Sequence, residues 1–291
     1  MPDKKIRFIK YIVLPLLLYI IISQIVGFGG RQTAIYMTQK EFAKNHQEVT
    51  QEAFLEKANN WLLEKSSTIN LMNGICTMSL LYFLFYRKYN KEITRNRMQE
   101  GIKKPKKWWY LFCIAAGASC SLALNNWIAI SGITKVITTY EEVSRHIYSG
   151  NIFIMSFHII IVAACMEEML FRGLIYRQLK EQVGIAAAGV ISALLFGILH
   201  GNFVQGLYAF LIGLLLVYSY ERFQSMAAPI LVHMAANTVS LLATETSLFH
   251  SWYRSAVTFW ICTIIATTVV LISILQIESR VQSAVLPENR R

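Results

Sequence analysis

Charged residues are scarce in this sequence. Asp, Glu, Lys and Arg make up 15% of the 291 residues, whereas hydrophobic residues make up 55%. This composition, with a mean hydropathy of +0.42, is not typical of a soluble globular protein. The sequence also has no long Pro-, Gly- or Ser-rich linker, no low-complexity tract and no internal repeat. It therefore indicates an integral membrane protein rather than soluble domains joined by linkers.

Two common site signatures are also missing. The five cysteines show no C-x-x-C spacing, and no H-E-x-x-H sequence occurs. All five cysteines fall in apolar stretches, where cysteine is usually a small buried side chain. We therefore expect neither a disulfide framework nor a thiolate metal site.

Eight apolar segments approach the length of about 20 residues that a membrane-spanning helix needs. The fifth and sixth are short and separated only by Gly201 and Asn202, which predicts a tight helical hairpin. The predicted fold is an all-α, polytopic integral membrane bundle of about eight transmembrane helices. The predicted spans are 8–28, 69–86, 108–130, 152–172, 184–200, 203–220, 228–245 and 256–277.

The distribution of basic residues predicts the topology. Lys and Arg are concentrated in 3–10 and 87–107, whereas acidic and basic residues balance in 29–68. The positive-inside rule then places the N-terminus and 87–107 in the cytoplasm and 29–68 outside. Eight spans return the basic tail to the cytoplasm. A basic segment between two spans is better explained as a topology determinant than as a nucleic-acid patch, with contact with anionic membrane lipids as a secondary role, so we expect no nucleic-acid partner.

Several polar groups interrupt the apolar helices of the second half of the chain. A charged side chain at the centre of a spanning helix costs about 2.5–3.5 kcal/mol on insertion scales. Such groups could ligate a metal, relay protons or activate water, and the pattern favours the third. The groups and their aromatic neighbour are Glu167, Glu168, Arg172, Phe196, His200, His233 and Asn237.

Helical spacing sorts these residues into pairs. Positions i and i+4 share a helix face, so Glu168 and Arg172 should form an ion pair. Glu167 points about 100 degrees away from Glu168 and can meet another partner. A carboxylate held away from bulk water is suited to general acid–base work near neutral pH.

The other two pairs suggest complementary roles. Phe196 and His200 would place an aromatic wall beside an imidazole, whereas His233 and Asn237 would line up two hydrogen-bonding side chains. If the three helices converge, Glu167 and His200 could activate a water molecule. His233 and Asn237 could then stabilise a developing oxyanion.

The ordered motifs EExxxR, FxxxH and HxxxN resemble those of the CPBP family, the intramembrane CAAX-protease and bacteriocin-processing (Abi) proteins. These are relatives of the type II CAAX prenyl endopeptidases. The motifs begin at Glu167, Phe196 and His233, and the resemblance covers about residues 150–240. It implies an α-helical intramembrane endopeptidase that needs no metal.

The resemblance also implies roles for individual residues. Glu167 and His200 would activate the attacking water, and His233 and Asn237 would form the oxyanion hole. Glu168 and Arg172 would support them. Substrates would be peptides or lipidated protein tails, such as CAAX-like, pheromone or bacteriocin precursors.

The expected organisation therefore has three parts. Residues 1–150 form an N-terminal membrane region, in which the external insertion 29–68 holds an amphipathic helix near the headgroups. Residues 151–245 form the catalytic core, and 246–291 the last spanning helix and the basic tail. The setting would be a cell membrane.

Three alternatives stay open at this point. The fold could serve a non-proteolytic scaffold or a bacteriocin self-immunity protein. A transporter could use a Glu/His proton relay. Transporters often show two similar halves, however, and this sequence has no internal repeat. Glu167, His200 and His233 could also bind zinc.

One feature of the predicted topology conflicts with convergence. His200 would lie near the outer tip of the hairpin, and His233 near the cytoplasmic start of its helix. Either the 184–220 hairpin enters the bilayer only partway or the seventh span starts deeper.

Overall fold

A computed structural model of the chain describes residues 4–44, 50–99, 102–103, 105–133, 149–245 and 255–282, and no β-strand occurs within these ranges. The α-helices are α1 (Lys4–Phe8), α2 (Leu14–Lys44), α3 (Gln51–Leu81), α4 (Arg87–Gln99), α5 (Tyr110–Ser131), α6 (Ile152–Phe157), α7 (Ala164–Glu168), α8 (Arg177–Ile198), α9 (Phe203–Phe223), α10 (Ala227–Glu245) and α11 (Ala256–Gln276). Wider π-helical segments join or extend several of them, at Ile9–Val13, Tyr82–Tyr86, His158–Ala163, Met169–Tyr176 and Ile277–Gln282.

The predicted all-α membrane bundle is confirmed. Over the described ranges, seven continuous helical stretches are long and apolar enough to cross a membrane. The fourth, Ile152–Ile198, has 47 residues and would be about 70 Å long if straight, more than twice the hydrocarbon core. It breaks at Gly184, whose φ of 81° and ψ of 174° are not helical. Glycine alone adopts such a conformation readily, so the break gives the two spans expected at 152–172 and 184–200.

The segment 29–68 differs from its predicted structure. Instead of a separate helix lying along the headgroups, the structure continues α2 to Lys44 and starts α3 at Gln51. Thr50 caps α3 by accepting a hydrogen bond from the backbone N–H of Ala53. The rings of Phe42 and Phe54 lie 6.3 Å apart across the pair. The helix-forming residues of this segment therefore extend two neighbouring helices.

The basic segment 87–107 is largely helical rather than a loop. Helix α4 follows α3 through the π-helical turn Tyr82–Tyr86. It contains basic residues of this segment and ends at Gln99. A 3-10 turn at Lys107–Trp109 then leads into α5. The predicted basic tail beyond residue 282 and most of residues 131–150 lie outside the described residues.

Close contacts between small residues set the positions of the core helices. Helix α5 packs along both α10 and α11. A Cβ atom added at Gly117 of α5 would overlap the backbone of Val232 in α10. Likewise, a Cβ at Gly197 would lie 2.6 Å from the carbonyl oxygen of Gly206 across the α8–α9 hairpin. The missing side chains therefore let the polar segments of α8 and α10 approach their neighbours closely.

The α8–α9 hairpin explains the depth conflict in the predicted topology. After the break at Gly184, α8 continues only to Ile198, about 21 Å at 1.5 Å per residue and less than the hydrocarbon thickness. The end of this short arm lies at the level of His233, since the rings of Phe196 and His233 are 5.7 Å apart.

Candidate active site

Both motif glutamates lie on one short α-helical segment between two wider turns. Helix α7 ends at Glu168, between the π-helical segments His158–Ala163 and Met169–Tyr176. π-Helical turns inside α-helices are rare and occur frequently at functional sites. Sequence periodicity gives no sign of them, because each adds a residue to a turn without changing the apolar character of the helix. They mark this helix as locally specialised around the glutamates.

Glu168 and Arg172 form the predicted ion pair at the centre of the protein. Arg172 Nη1 donates to Glu168 Oε1 at 3.0 Å, and both side chains are completely buried. Arg172 Nη2 donates to the carbonyl oxygen of Gly213 in α9 at 3.1 Å. The guanidinium also lies over the ring of Phe196, 4.7 Å from its centroid. The arginine thus joins three helical segments while balancing one buried carboxylate.

His233 lies between the two glutamates. Its Nδ1–H donates to Glu168 Oε1 at 2.9 Å, the same oxygen that accepts from Arg172 Nη1. Its Nε2 lies 3.7 Å from Glu167 Oε2. The Glu167 side chain is 20% exposed, whereas that of Glu168 is fully buried. The structure therefore brings Glu167, Glu168, Arg172 and His233 into one polar centre.

The ring of Phe196 lies between His200 and this polar centre. Its imidazole lies edge-on to Phe196, with centroids 4.7 Å apart, and Phe196 also faces His233 and Arg172. His200 Nδ1–H donates to the Phe196 carbonyl oxygen at 2.7 Å. A carbonyl can only accept, so Nδ1 carries a proton, and Nε2 makes no hydrogen bond in the described structure. His200 forms no hydrogen bond with Glu167 in the described structure.

Asn237 follows His233 by one turn on α10, as predicted. Its Nδ2 donates to the carbonyl oxygen of Ile159 at 2.8 Å. Ile159 belongs to the π-helical segment that precedes the glutamates. Asn237 therefore ties α10 to this segment, and this bond uses one of its two amide N–H groups.

Three hydroxyl groups on neighbouring helices form a cluster that the sequence did not reveal. Tyr208 donates to Ser121 at 2.8 Å and lies 3.1 Å from Ser240, and the two serine oxygens are 3.1 Å apart. Ser240 lies on α10, one turn beyond Asn237. No local motif links these residues, since each comes from a different helix.

The positions of the candidate metal ligands can be compared with the geometry of a metal centre. Within the described ranges, no group of three or more His, Cys, Asp and Glu side chains is arranged to hold a metal ion. Among the three candidate zinc ligands, Glu167 and His233 approach each other, whereas His200 bonds to the Phe196 carbonyl.

Comparison with known proteins confirms the family resemblance. Residues 149–239 match the family model described as "Type II CAAX prenyl endopeptidase Rce1-like". The chain also resembles "Putative membrane peptidase YdiL" of Bacillus subtilis (strain 168), with 26% identity over 159 residues. That alignment covers 55% of this chain and 64% of the relative, less than two thirds of its length. No solved structure matches the chain significantly. The family match includes all seven predicted site residues and supports a membrane peptidase.

Proposed function

We propose that this chain is an intramembrane endopeptidase that hydrolyses peptide bonds with a glutamate-activated water. Its residues 149–239 match the Rce1-like family model of the type II CAAX prenyl endopeptidases. One observation supports this most directly: His233 lies between a buried, charge-balanced glutamate and a second glutamate that is partly exposed. A purely structural ion pair would need only Glu168 and Arg172.

The two glutamates have different environments, and this separates their roles. Glu168 accepts hydrogen bonds from Arg172 and His233 and is shielded from solvent. It is therefore a positioning group that orients His233. Glu167 has no such bonds in the described structure and keeps part of its surface accessible. Because a general base must reach the water it deprotonates, Glu167 is the proton acceptor in this proposal.

The two histidines differ in the same way. His200 donates through Nδ1 to a backbone carbonyl and has Nε2 free to accept a hydrogen bond from water beside Glu167. His233 donates through Nδ1 to a carboxylate. When it is protonated it also has an N–H on Nε2 that could stabilise an oxyanion, and the second N–H of Asn237 could assist.

The proposed reaction follows from these assignments. The water oxygen attacks the scissile carbonyl carbon while Glu167 accepts the water proton. The carbonyl π electrons move to its oxygen, which His233 and Asn237 stabilise. Collapse of the tetrahedral intermediate re-forms the carbonyl and breaks the C–N bond. The proton on Glu167 passes to the leaving nitrogen, so the products are a carboxylic acid and an amine.

The setting and substrates follow from the membrane location of the site. We propose a cell-membrane protein with cytoplasmic N- and C-termini, in contact with membrane lipids and with no nucleic-acid partner. Its substrates would be membrane-associated peptides or lipidated tails, such as CAAX-like, pheromone or bacteriocin precursors. The low-dielectric surroundings suit substrates that enter from the bilayer.

The decisive test compares Glu167→Gln with Glu221→Gln. Glu221 is a partly buried carboxylate that pairs with Lys180 at 2.7 Å, outside the site. General base catalysis contributes about 10²- to 10⁴-fold to a rate. Glu167→Gln and His200→Ala should therefore each lower turnover of a quenched-fluorescent prenylated CAAX peptide at least 100-fold, with Glu221→Gln near wild type.

Thermal unfolding of the same preparations in detergent provides the folding control. If Glu167→Gln keeps most of the wild-type turnover, the assigned base is wrong. If the wild type cleaves neither prenylated nor unmodified membrane peptides, the non-proteolytic scaffold or self-immunity function becomes the better explanation.

We also propose that the reaction needs no resident cofactor, because Asn237 is not among the usual ligands of zinc and Glu168 Oε1 already accepts hydrogen bonds from Arg172 and His233. Exhaustive chelation should leave turnover within about twofold of the untreated enzyme, and elemental analysis should show less than stoichiometric metal. Loss of activity on chelation with recovery on zinc addition would instead favour Glu167, His200 and His233 as metal ligands.

A further inference from the structure

A second buried arginine, Arg177, is the first residue of α8 and follows the π-helical segment Met169–Tyr176 that contains Arg172. Arg177 is 5% exposed. Its Nε donates to the Tyr220 hydroxyl at 2.6 Å and its Nη1 donates to Asn90 Oδ1 at 3.0 Å. Both partners are neutral, and Arg177 forms no ion pair in the described structure. Burying a charge without an opposite charge costs free energy, so we expect Arg177 to bind an anion.

Two acidic residues, Glu181 one helical turn after Arg177 and Glu221 next to Tyr220, do not supply that anion. Glu221 pairs with Lys180 at 2.7 Å, and Glu181 pairs with Arg7 at 3.0 Å. Tyr89 also donates to Glu181. Each of these carboxylates already has its own cation, which leaves the charge of Arg177 unbalanced.

Arg177 lines a pocket whose charged lining residues are all basic. The pocket has a volume of about 590 Å³, and among the described residues its lining contains Lys103 and Lys107 as well as Arg177 but no Asp or Glu. Asn90, Tyr110 and Ser225 add hydrogen-bonding groups to the same wall. Lys103 and Lys107 are exposed, and neither makes an ion pair within the described ranges. Such a site is complementary to a phosphate group, which arginine binds well.

An apolar groove continues from this pocket. Its volume is about 320 Å³, and it shares Tyr86 and Met226 with the pocket. The groove runs between α3 and α10, where Met78, Met169 and Ile230 line it. A charged cavity that opens into an apolar groove fits a molecule with an anionic head and a hydrocarbon chain.

We infer that the pocket around Arg177, Lys103 and Lys107 binds the phosphate headgroup of an anionic phospholipid, with an acyl chain in the adjoining groove. Basic pockets between transmembrane helices on the cytoplasmic side are a known type of site for anionic lipid headgroups. The pocket itself contains no residue of the glutamate centre, although the groove reaches Met169 beside Glu168, and the site would exist whether or not the chain cleaves peptides.

The test measures lipid retention by the purified full chain in detergent, using native mass spectrometry with equal amounts of dioleoylphosphatidylglycerol and dioleoylphosphatidylcholine. The wild type should retain the anionic lipid in clear preference. Lys103→Gln combined with Lys107→Gln should weaken this binding about tenfold or more, given the contribution of each lysine near a membrane surface. Arg177→Met should weaken it further.

The matched control is Lys88→Gln combined with Lys91→Gln. Both residues are exposed, belong to the same basic segment and do not line the pocket. This control removes the same charge and should keep binding within about twofold of wild type. If both double variants lose binding equally, the effect is general surface electrostatics and the site does not exist. The lysine double variant keeps the test valid if Arg177→Met fails to fold.

Two competition arms distinguish the source of the anion. Inorganic phosphate at millimolar concentration should displace little lipid, because it has no acyl chain. If it displaces the lipid fully, the pocket is a site for a free anion. If a peptide with a free C-terminal carboxylate displaces the lipid while phosphate does not, the pocket belongs to the substrate. Either result, or equal retention of both lipids by the wild type, would overturn the inference.

Discussion

Arg172 and Arg177 lie close together in the chain and are both buried, yet they are balanced differently. Arg172 has an internal anion, Glu168, at 3.0 Å. Arg177 has a hydroxyl and an amide oxygen as partners and lines a basic pocket. The first arrangement is closed, since its charge is balanced within the protein, whereas the second is open to an external anion. In the two proposals, the same residue type therefore stabilises the candidate active site at one position and contributes to a lipid-binding pocket at the other.

Replacing Arg172 should have the largest effect on stability. Arg172→Met leaves Glu168 as a buried carboxylate without its cation, and breaking a buried pair in this way costs about 3–5 kcal/mol. It should also lower peptide cleavage, because Glu168 positions His233. Thermal unfolding in detergent, with turnover of the same samples, measures both effects.

Removing both charges tests the cause of that loss. Arg172→Met combined with Glu168→Leu should recover a large part of the stability, because no unpaired charge remains. Activity should stay low, since His233 loses its acceptor. A double variant as unstable as the single one would show that Arg172 matters through Gly213 and Phe196 rather than through its charge.

A change that displaces His233 without removing any charge from the Arg172 centre should have an intermediate effect. In Gly117→Ala the new methyl group meets the backbone of Val232, next to His233. Overpacking of this kind costs about 1–3 kcal/mol, and a displacement of about 1 Å in a catalytic group can lower a rate about 100-fold. Turnover should therefore fall more than the unfolding temperature suggests.

Gly29→Ala in α2 is the control for Gly117→Ala. A Cβ at Gly29 meets no atom within 4 Å, and alanine is favoured over glycine in a helix by about 1 kcal/mol. This variant should be as stable as the wild type or slightly more so. If the two variants behave alike, the close α5–α10 contact does not set the position of His233.

Replacing Arg177 should have the smallest effect on the protein in neutral detergent. Arg177→Met removes two hydrogen bonds from a charged group, each contributing about 1.5–3 kcal/mol, but it also removes a buried charge that has no counter-ion, which offsets much of that loss. Added anionic lipid should stabilise the wild type more than the variant, because only the wild type keeps the buried cation. Unfolding curves with and without phosphatidylglycerol measure the difference. A loss as large as that of Arg172→Met would mean that Arg177 is not an open site.

The sequence by itself determined that the chain is a bundle of apolar helices and which residues are the candidates for the chemistry. Apolar length sets the spans, because a bilayer requires each one to cross as a helix. The helical period sets pairs within one helix, so the Glu168–Arg172 contact could be predicted from spacing alone. The unusual polar residues in apolar surroundings then pointed to the site.

Only the tertiary structure decided how these pairs meet. It placed His233 against both glutamates, inserted Phe196 between the two histidines, and gave Arg177 neutral partners from α4 and α9. These contacts depend on the depth and rotation of each helix relative to the others. Close approaches such as that of Gly117 to Val232 fix that register, and a glycine in a sequence does not reveal which backbone it will face. The helical period acts only along one helix, so the arrangement between helices is a property of the folded protein.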